Sequence, residues 1–168
     1  NASMSYVFAD RSHGYDPNEL ADNLPFDGNL AYQTYITDFD TINGIYTTRM
    51  SNDIIYHDHE VTRKGRVGEY VVAFSADYNH KIYLGGSLGF PGIRFEENKT
   101  HYENEIQDST ESIQSFTLNE YQLTTGTGIN AKLGLIYLPT HWLRIGAAYH
   151  TKTTYSMSDF WYSNMSST

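Results

Sequence analysis

The chain has 168 residues, a net charge of −9 and no cysteine. The acidic balance argues against a nucleic-acid partner, because phosphate binding needs clustered Lys and Arg side chains. Without cysteine, neither a disulfide nor a thiolate metal site can form. No segment approaches the roughly 18 consecutive apolar residues of a membrane-spanning helix, whereas 15 Tyr and 13 Gly suit β structure.

Residues 1–66 are the least regular part, and we expect a long polar loop region containing one short helix. Asp16 is placed as an N-cap with Pro17 at the first helical position, and Pro25 ends the helix. Residues 30–36 are a candidate strand. The first residues lack the charged and apolar segments of a signal peptide. We therefore expect any export signal to lie upstream, and the chain to be an internal piece of a longer protein.

Two segments of this region invite comparison with metal sites. His57 and His59 lie on one face of an extended segment, but no third ligand is visible near them in the sequence. The segment that starts at Asp38 begins like a calcium-binding loop, yet Ile42 occupies a ligand position and Arg49 stands where a bidentate Glu is needed. The sequence therefore predicts no metal site and no other cofactor.

From residue 67 the residues alternate with period two, which predicts two β-hairpins at 67–92 and 117–155. A long polar loop at 92–116 separates them, and residues 161–168 begin the next loop. Short turns are expected at 79–81 and 139–141. The outward apolar face carries Val72, Phe74, Leu84, Leu88, Leu133, Leu135 and Ile145.

These apolar faces have the length of transmembrane β-strands, which need about 9–11 residues and often end in aromatic side chains. The predicted fold is all-β, an antiparallel transmembrane β-barrel with short periplasmic turns and long extracellular loops. Its location would be the outer membrane of a Gram-negative bacterium, with lipid against the apolar face. Four strands cannot close a barrel, since the smallest has about eight. The hairpins are therefore expected to be part of a larger barrel.

The opposite face of the hairpins points to the lumen and carries the candidate ligand-binding residues Ser75, Asp77, Lys132, Arg144 and His150. In one interpretation, the cations hold a carboxylate head group by charge-assisted hydrogen bonds. In the other, they pair with lumen carboxylates such as Asp77 and stiffen the wall. Both interpretations remain open at the level of sequence.

Two short motifs resemble enzyme signatures in their letters only. Residues 85–89 (GGSLG) match a nucleophile elbow, but Phe90 and Pro91 follow where a helix must start. Residues 126–131 (GTGINA) match a dinucleotide fingerprint, but a period-two strand follows. No catalytic residues are predicted, and the protein is not expected to be an enzyme.

Residues 126–154 (GTGINAKLGLIYLPTHWLRIGAAYHTKTT), followed by YSMSD at 155–159, resemble FadL-type outer-membrane transporters of long-chain fatty acids and other hydrophobic compounds. The resemblance covers about residues 67–160. It departs at Lys152, where Pro is common, and at Leu138, where Arg is common. It implies a plugged barrel of about 14 strands, within the known range of such barrels, that releases apolar substrate sideways into the membrane.

The expected function is passive uptake of hydrophobic small molecules, such as long-chain fatty acids, with no bond made or broken. Two alternatives stay open. In the first, the same barrel is a structural or interaction component of an outer-membrane machine. In the second, the chain forms a soluble lipocalin-like lipid-binding β-barrel, with the apolar faces turned inward.

Overall fold

The computed structural model describes residues 3–50, 54–106 and 113–168. About two thirds of these residues are in strands and the sheet is mostly antiparallel, which confirms the predicted all-β, antiparallel class. None of the helices in the described ranges is both long and apolar enough to cross a membrane. The elements are α1 (Met4–Ser12), α2 (Leu20–Asn23), α3 (Gly28–Gln33), β1 (Thr37–Asp40), β2 (Ile45–Thr48), β3 (Ile55–Tyr78), β4 (Ile82–Glu105), β5 (Ser115–Thr140), β6 (Leu143–His150) and β7 (Thr154–Ser167).

The strands form a two-stranded sheet, β1-β2, and a five-stranded sheet of order β3-β4-β5-β6, in which β7 also pairs with β5. The chain divides into two compact units. The core unit comprises Asn1–Arg63, Glu97–Gln122 and Trp161–Thr168, and the sheet unit comprises Lys64–Glu96 and Leu123–Phe160. The long strands therefore contribute residues to both units.

The core unit has a buried apolar interior. Phe8 of α1 meets Phe116 of β5 edge to face, with ring centroids 6.2 Å apart. A second, smaller cluster contains Ala9, Leu20 and Tyr46. Residues 1–66 were predicted to be a polar loop region with one short helix, whereas their described part holds three helices and a hairpin. The main cluster contains Phe8, Ala31, Ile36, Met50, Ile113, Phe116, Leu118 and Met165.

The helices differ in detail from those expected. α2 starts at Leu20 with Glu19 as its N-cap, because the Asp16 carboxylate accepts the backbone N–H of Asn18 and forms a turn there instead. The strand predicted at residues 30–36 is wrong in its first part, where α3 runs to Gln33. The side chain of Asp27 caps α3 by accepting the N–H of Gly28. Tertiary burial thus overrides the apparent alternation of the segment.

The segment that resembles the start of a calcium loop is the tight turn between β1 and β2. One Asp40 oxygen accepts the backbone N–H groups of Ile42, at 2.8 Å, and Asn43, at 3.2 Å. The Asn43 side chain, followed by these backbone donors, holds the pKa of Asp40 below its ordinary value. Gly44 adopts a φ of 68° to complete the turn. The carboxylate serves hairpin closure here.

The long strands extend beyond their predicted bounds. The loop predicted at 92–116 shortens, because β4 continues to Glu105 and β5 starts at Ser115. β7 likewise runs to Ser167, through the segment expected to begin a loop. Most residues of these extensions are polar, and their few apolar residues, such as Phe116 and Met165, do not form a regular alternation. Cross-strand pairs of polar side chains join them instead, including Arg63 with Glu97 and Thr100 with Asn119.

Two tight turns lie at the same end of the sheet unit. Residues 79–81 join β3 to β4, and Asn79 and His80 both adopt left-handed backbone conformations, with φ of 53° and 52°. Such turns match the right-handed twist of paired strands. Residues 141–142 join β5 to β6. Leu138, near the second turn, donates its backbone N–H to the Lys81 carbonyl at 2.8 Å.

Candidate functional site

The register between β5 and β6 defines the two faces of the sheet unit. Leu133 lies opposite Tyr149, and Leu135 lies opposite Ala147. Cross-strand partners project from the same face of a sheet, so these residues share one apolar surface. The seven predicted lipid-facing residues are all exposed: Val72 65%, Phe74 70%, Leu84 52%, Leu88 45%, Leu133 57%, Leu135 40% and Ile145 54%.

The sheet unit, which the structure describes throughout, has no apolar core of its own. Its buried residues are Gly86, Gly89, Pro91 and Asn130. Every buried Val, Leu, Ile, Met, Phe, Tyr or Ala among the described residues belongs to the core unit. Water-soluble monomers rarely expose an apolar surface that runs across several strands. An apolar face of this extent is typical of surfaces that contact lipid or another protein.

The opposite face carries a polar cluster built from three strands. Lys132 and His150 are direct cross-strand partners on β5 and β6. The Lys132 ammonium lies 3.7 Å from a Glu69 carboxylate oxygen on β3, and the other Glu69 oxygen accepts the Asn130 side-chain amide at 2.8 Å. A side chain at Gly89 of β4 would meet the ends of the Glu69 and Asn130 side chains, so it would displace the two groups that form this cluster.

Sequence reasoning named Lys132 and His150 but missed Glu69 and Asn130. A signal for the missed pair was present, because Asn130 is two residues from Lys132 and Glu69 is six residues from Ser75. Even spacings keep residues on one face of a strand. The polar character of this face therefore extends further along the strands than the sequence interpretation recognised.

Beside the polar cluster, the same face of the sheet is formed mainly by small side chains. Two shallow grooves have volumes of about 540 and 320 Å³. Ser75 lines the larger groove, while Lys132 and His150 line the smaller. Glycine and alanine leave the backbone accessible, so the floor is smooth and mostly apolar. The residues that form it are Ala73, Ser75, Gly85, Ser87, Gly134, Gly146 and Ala148.

The other two candidate lumen residues lie away from this cluster. Asp77 accepts the backbone N–H of His80 at 2.9 Å, and its second oxygen is 2.5 Å from the His80 ring. Asp77 therefore stabilises the β3-β4 turn, and Glu69 is the carboxylate beside Lys132. Arg144 is six residues before His150 on β6, a separation of about 20 Å along a strand.

The two enzyme-like motifs both lie inside strands. Residues 85–89 fall within β4 and residues 126–131 within β5. The nucleophile elbow and the dinucleotide fingerprint each require a strand-to-helix turn. Neither segment has that geometry.

A second polar cluster, in the core unit, surrounds the fully buried Glu103. One carboxylate oxygen accepts the Ser3 hydroxyl at 2.5 Å. The other accepts the Met4 backbone N–H at 2.9 Å, at the start of α1, and lies 2.7 Å from His101 Nε2 and 3.2 Å from His57 Nδ1. Burial acts to raise the pKa of Glu103, but hydrogen bonds from His101, Ser3 and Met4 outweigh it and lower the pKa.

The lowered pKa of Glu103 predicts acid sensitivity of the core unit. Because the folded-state pKa lies below the ordinary value of 4.5, ionised Glu103 contributes stability above that value. This stability is lost as the pH falls through the folded-state pKa. Protection of the α1 amides against hydrogen exchange, corrected for the intrinsic exchange rate at each pH from 6 to 3, should decrease below about pH 4.5. Glu103→Gln should flatten this dependence, and an unchanged profile in that variant would contradict the assignment.

No protein-family model matches the chain, and no relative was found among curated proteins. The fold and the two faces define a mostly antiparallel β protein with one exposed apolar face and one polar face. The resemblance of residues 126–159 to FadL-type transporters stays a prediction.

Proposed function

We propose that this chain forms part of the wall of an outer-membrane β-barrel that takes up hydrophobic small molecules passively. The observation that carries the proposal is the sheet unit, which exposes a broad apolar face and has no apolar core. The FadL-type resemblance supports the same assignment and points to long-chain fatty acids or similar compounds as substrates.

The dimensions of the apolar face support contact with a bilayer. On β3 it runs from Tyr70 to Tyr78, nine residues with exposed tyrosines at both ends, 85% and 66% exposed. A tilted transmembrane strand needs about 9–11 residues, and aromatic side chains mark both interfaces of outer-membrane barrels. Within this sheet β3, β6 and β7 are edge strands. In a barrel, further strands would pair with those edges, because unpaired backbone groups are costly in lipid.

The polar face supports a ligand role for the lumen. An alkyl chain would lie along the small-residue floor, where few side chains project. Its carboxylate would accept hydrogen bonds from the Lys132 ammonium and from a ring N–H of His150, which are cross-strand neighbours. The 3.7 Å separation of Lys132 from Glu69 is longer than a hydrogen bond, so the ammonium retains donors for a ligand. Uptake would then consist of binding in the lumen followed by lateral release into the membrane.

A transport assay tests this function directly. The intact protein, with its complete barrel, would be reconstituted in liposomes, and entry of a labelled long-chain fatty acid would be compared with entry into empty vesicles. Faster entry, together with a heat-dependent band shift in detergent gels, is the expected result. Entry no faster than into empty vesicles would contradict the transport proposal. A protein that is monomeric in water without detergent would instead support the lipocalin-like alternative.

Lys132→Gln should weaken recognition of the fatty-acid carboxylate. Loss of a hydrogen bond to a charged group costs about 1.5–3 kcal/mol, so fatty-acid affinity should fall roughly 10-fold or more. The matched control is Lys152→Gln, which removes an exposed lysine outside the cluster. Binding is measured with a fluorescent fatty acid and with its methyl ester. Equal losses for acid and ester would contradict a head-group role for Lys132.

A further inference from the structure

The described part of the core unit contains one group of three side chains with the composition and spacing of a metal site. His57 of β3, together with His101 and Glu103 of β4, presents three potential ligand atoms that all lie within 4.8 Å of one another. We infer that these residues bind a divalent transition-metal ion of the zinc type. This inference stands independently of the transport proposal.

The ligand types and distances suit zinc. Glu103 Oε1 lies 3.2 Å from His57 Nδ1 and 2.7 Å from His101 Nε2. Zinc binds histidine nitrogen and carboxylate oxygen at about 2.0–2.2 Å in a tetrahedral arrangement. Neighbouring donors in such a site are therefore about 3.3 Å apart. The His57 spacing already matches, and the His101 spacing needs to open by only about half an ångström. The fourth position would remain open to water.

Contacts outside the ligand set hold the carboxylate in place. The Ser3 hydroxyl donates to Glu103 Oε2, and the Met4 N–H donates to Oε1. These hydrogen bonds orient an ionised carboxylate in a fully buried position, before any metal binds. Outer-sphere donors of this kind commonly orient metal ligands and strengthen binding.

The histidines complete the site from the more accessible side. The His101 ring packs beside Phe116, with centroids 6.0 Å apart, and the His57 side chain is 28% exposed. A metal ion therefore has an entry route past His57 and an apolar wall behind His101. When the metal binds, it replaces the ring N–H groups that face Glu103, so both rings would coordinate through deprotonated nitrogens.

Only one of the three ligands, His57, was identified from the sequence. His57 and His59 form the pair visible in the sequence, but the structure selects His57 and supplies its partners from β4, more than 40 residues away. The His59 ring is 5.6 Å from the His101 ring, outside the three-ligand set. The inferred ion would link β3 to β4 and, through Glu103, to the start of α1.

Cobalt and zinc titrations of the purified full chain test the inference. Co²⁺ should give the visible absorption bands of a tetrahedral site, and Zn²⁺ should displace it with one ion per chain. Zinc affinity is then measured by competition with a chromophoric chelator. His101→Gln and Glu103→Gln should each weaken zinc binding more than the about 10–100-fold effect of losing an outer-sphere partner. The matched control, His141→Gln, changes an exposed histidine of the sheet unit and should bind zinc normally.

His57→Gln covers the case in which the more buried variants fail to fold. The His57 ring is partly exposed, so its replacement should preserve the circular-dichroism spectrum while weakening zinc binding to the same degree. Absence of zinc binding in the wild-type chain would overturn the inference. Unchanged zinc affinity in a folded His57→Gln or His101→Gln chain would overturn it equally.

Discussion

Leu133→Arg is expected to destabilise the membrane-inserted protein by about 2–4 kcal/mol, the cost of an arginine on the lipid face near the bilayer midplane. Leu133 is 57% exposed and occupies the middle of the apolar run on β5. Its cross-strand partner Tyr149 and its neighbour Leu135 leave no polar group beside it on that face. The equilibrium constant for folding should fall roughly 30- to 1,000-fold, measured by urea unfolding in liposomes.

Gly134→Arg is the matched control, because it places the same charge one residue further along the same strand but on the opposite face. A side chain added at Gly134 meets no atom within 4 Å, so the arginine has room. If the polar face is the lumen, this variant should fold almost normally. The lipocalin-like alternative predicts the reverse order, with Gly134→Arg placed on the water-exposed wall and Leu133→Arg placed in the ligand cavity. Equal tolerance of both variants would contradict the lipid-facing assignment.

The two faces of the sheet unit were predictable because strand alternation is a local property of sequence. Between Tyr70 and Tyr78, residues two positions apart lie on the same face of the strand, so the face of each residue can be inferred from the sequence alone. The β5-β6 turn lies at 141–142 rather than at the predicted 139–141. A register shift between Tyr137 and Thr140 separates it from the pairing of Lys132 with His150. The position of Glu69 beside Lys132 was less accessible to sequence reasoning. It depends on the joint register of β3, β4 and β5, which no single turn determines.

The core unit was the harder part, because its contacts join residues that are far apart in the chain. Ser3 and Glu103 are separated by 100 positions, and Phe8 packs against Phe116. Local patterns also misled, since residues 30–36 alternate like a strand while α3 takes the first part of them. Helix α3 forms instead of a strand because it buries Ala31 within the main apolar cluster. The three candidate metal ligands were not predicted as one site, for a related reason: they lie on two strands far apart in the chain, whereas ligand-spacing motifs describe residues that are close in sequence.

Phe116→Ala is expected to have the largest effect on the core unit, about 3–5 kcal/mol, as for other buried phenylalanines. Phe116 is 1% exposed, and its ring meets both Phe8 and His101. The truncation leaves a cavity. Because β5 is paired with neighbouring strands, it cannot shift on its own to close that cavity. Hydrogen exchange of α1 amides, measured at pH 7, should accelerate by roughly 200- to 5,000-fold.

Phe26→Ala provides the comparison for this substitution within the same unit. Phe26 is 48% exposed and makes one tilted ring contact with Trp161, at 6.2 Å. Its truncation removes a partly solvated ring and opens no enclosed cavity, so the cost should stay near or below about 1 kcal/mol. Similar exchange rates in the two variants would mean that α1 opens without disturbing the Phe116 cluster. In that case Phe8 and Phe116 would not form one cooperative core, and Glu103 would hold the start of α1 by its hydrogen bonds alone.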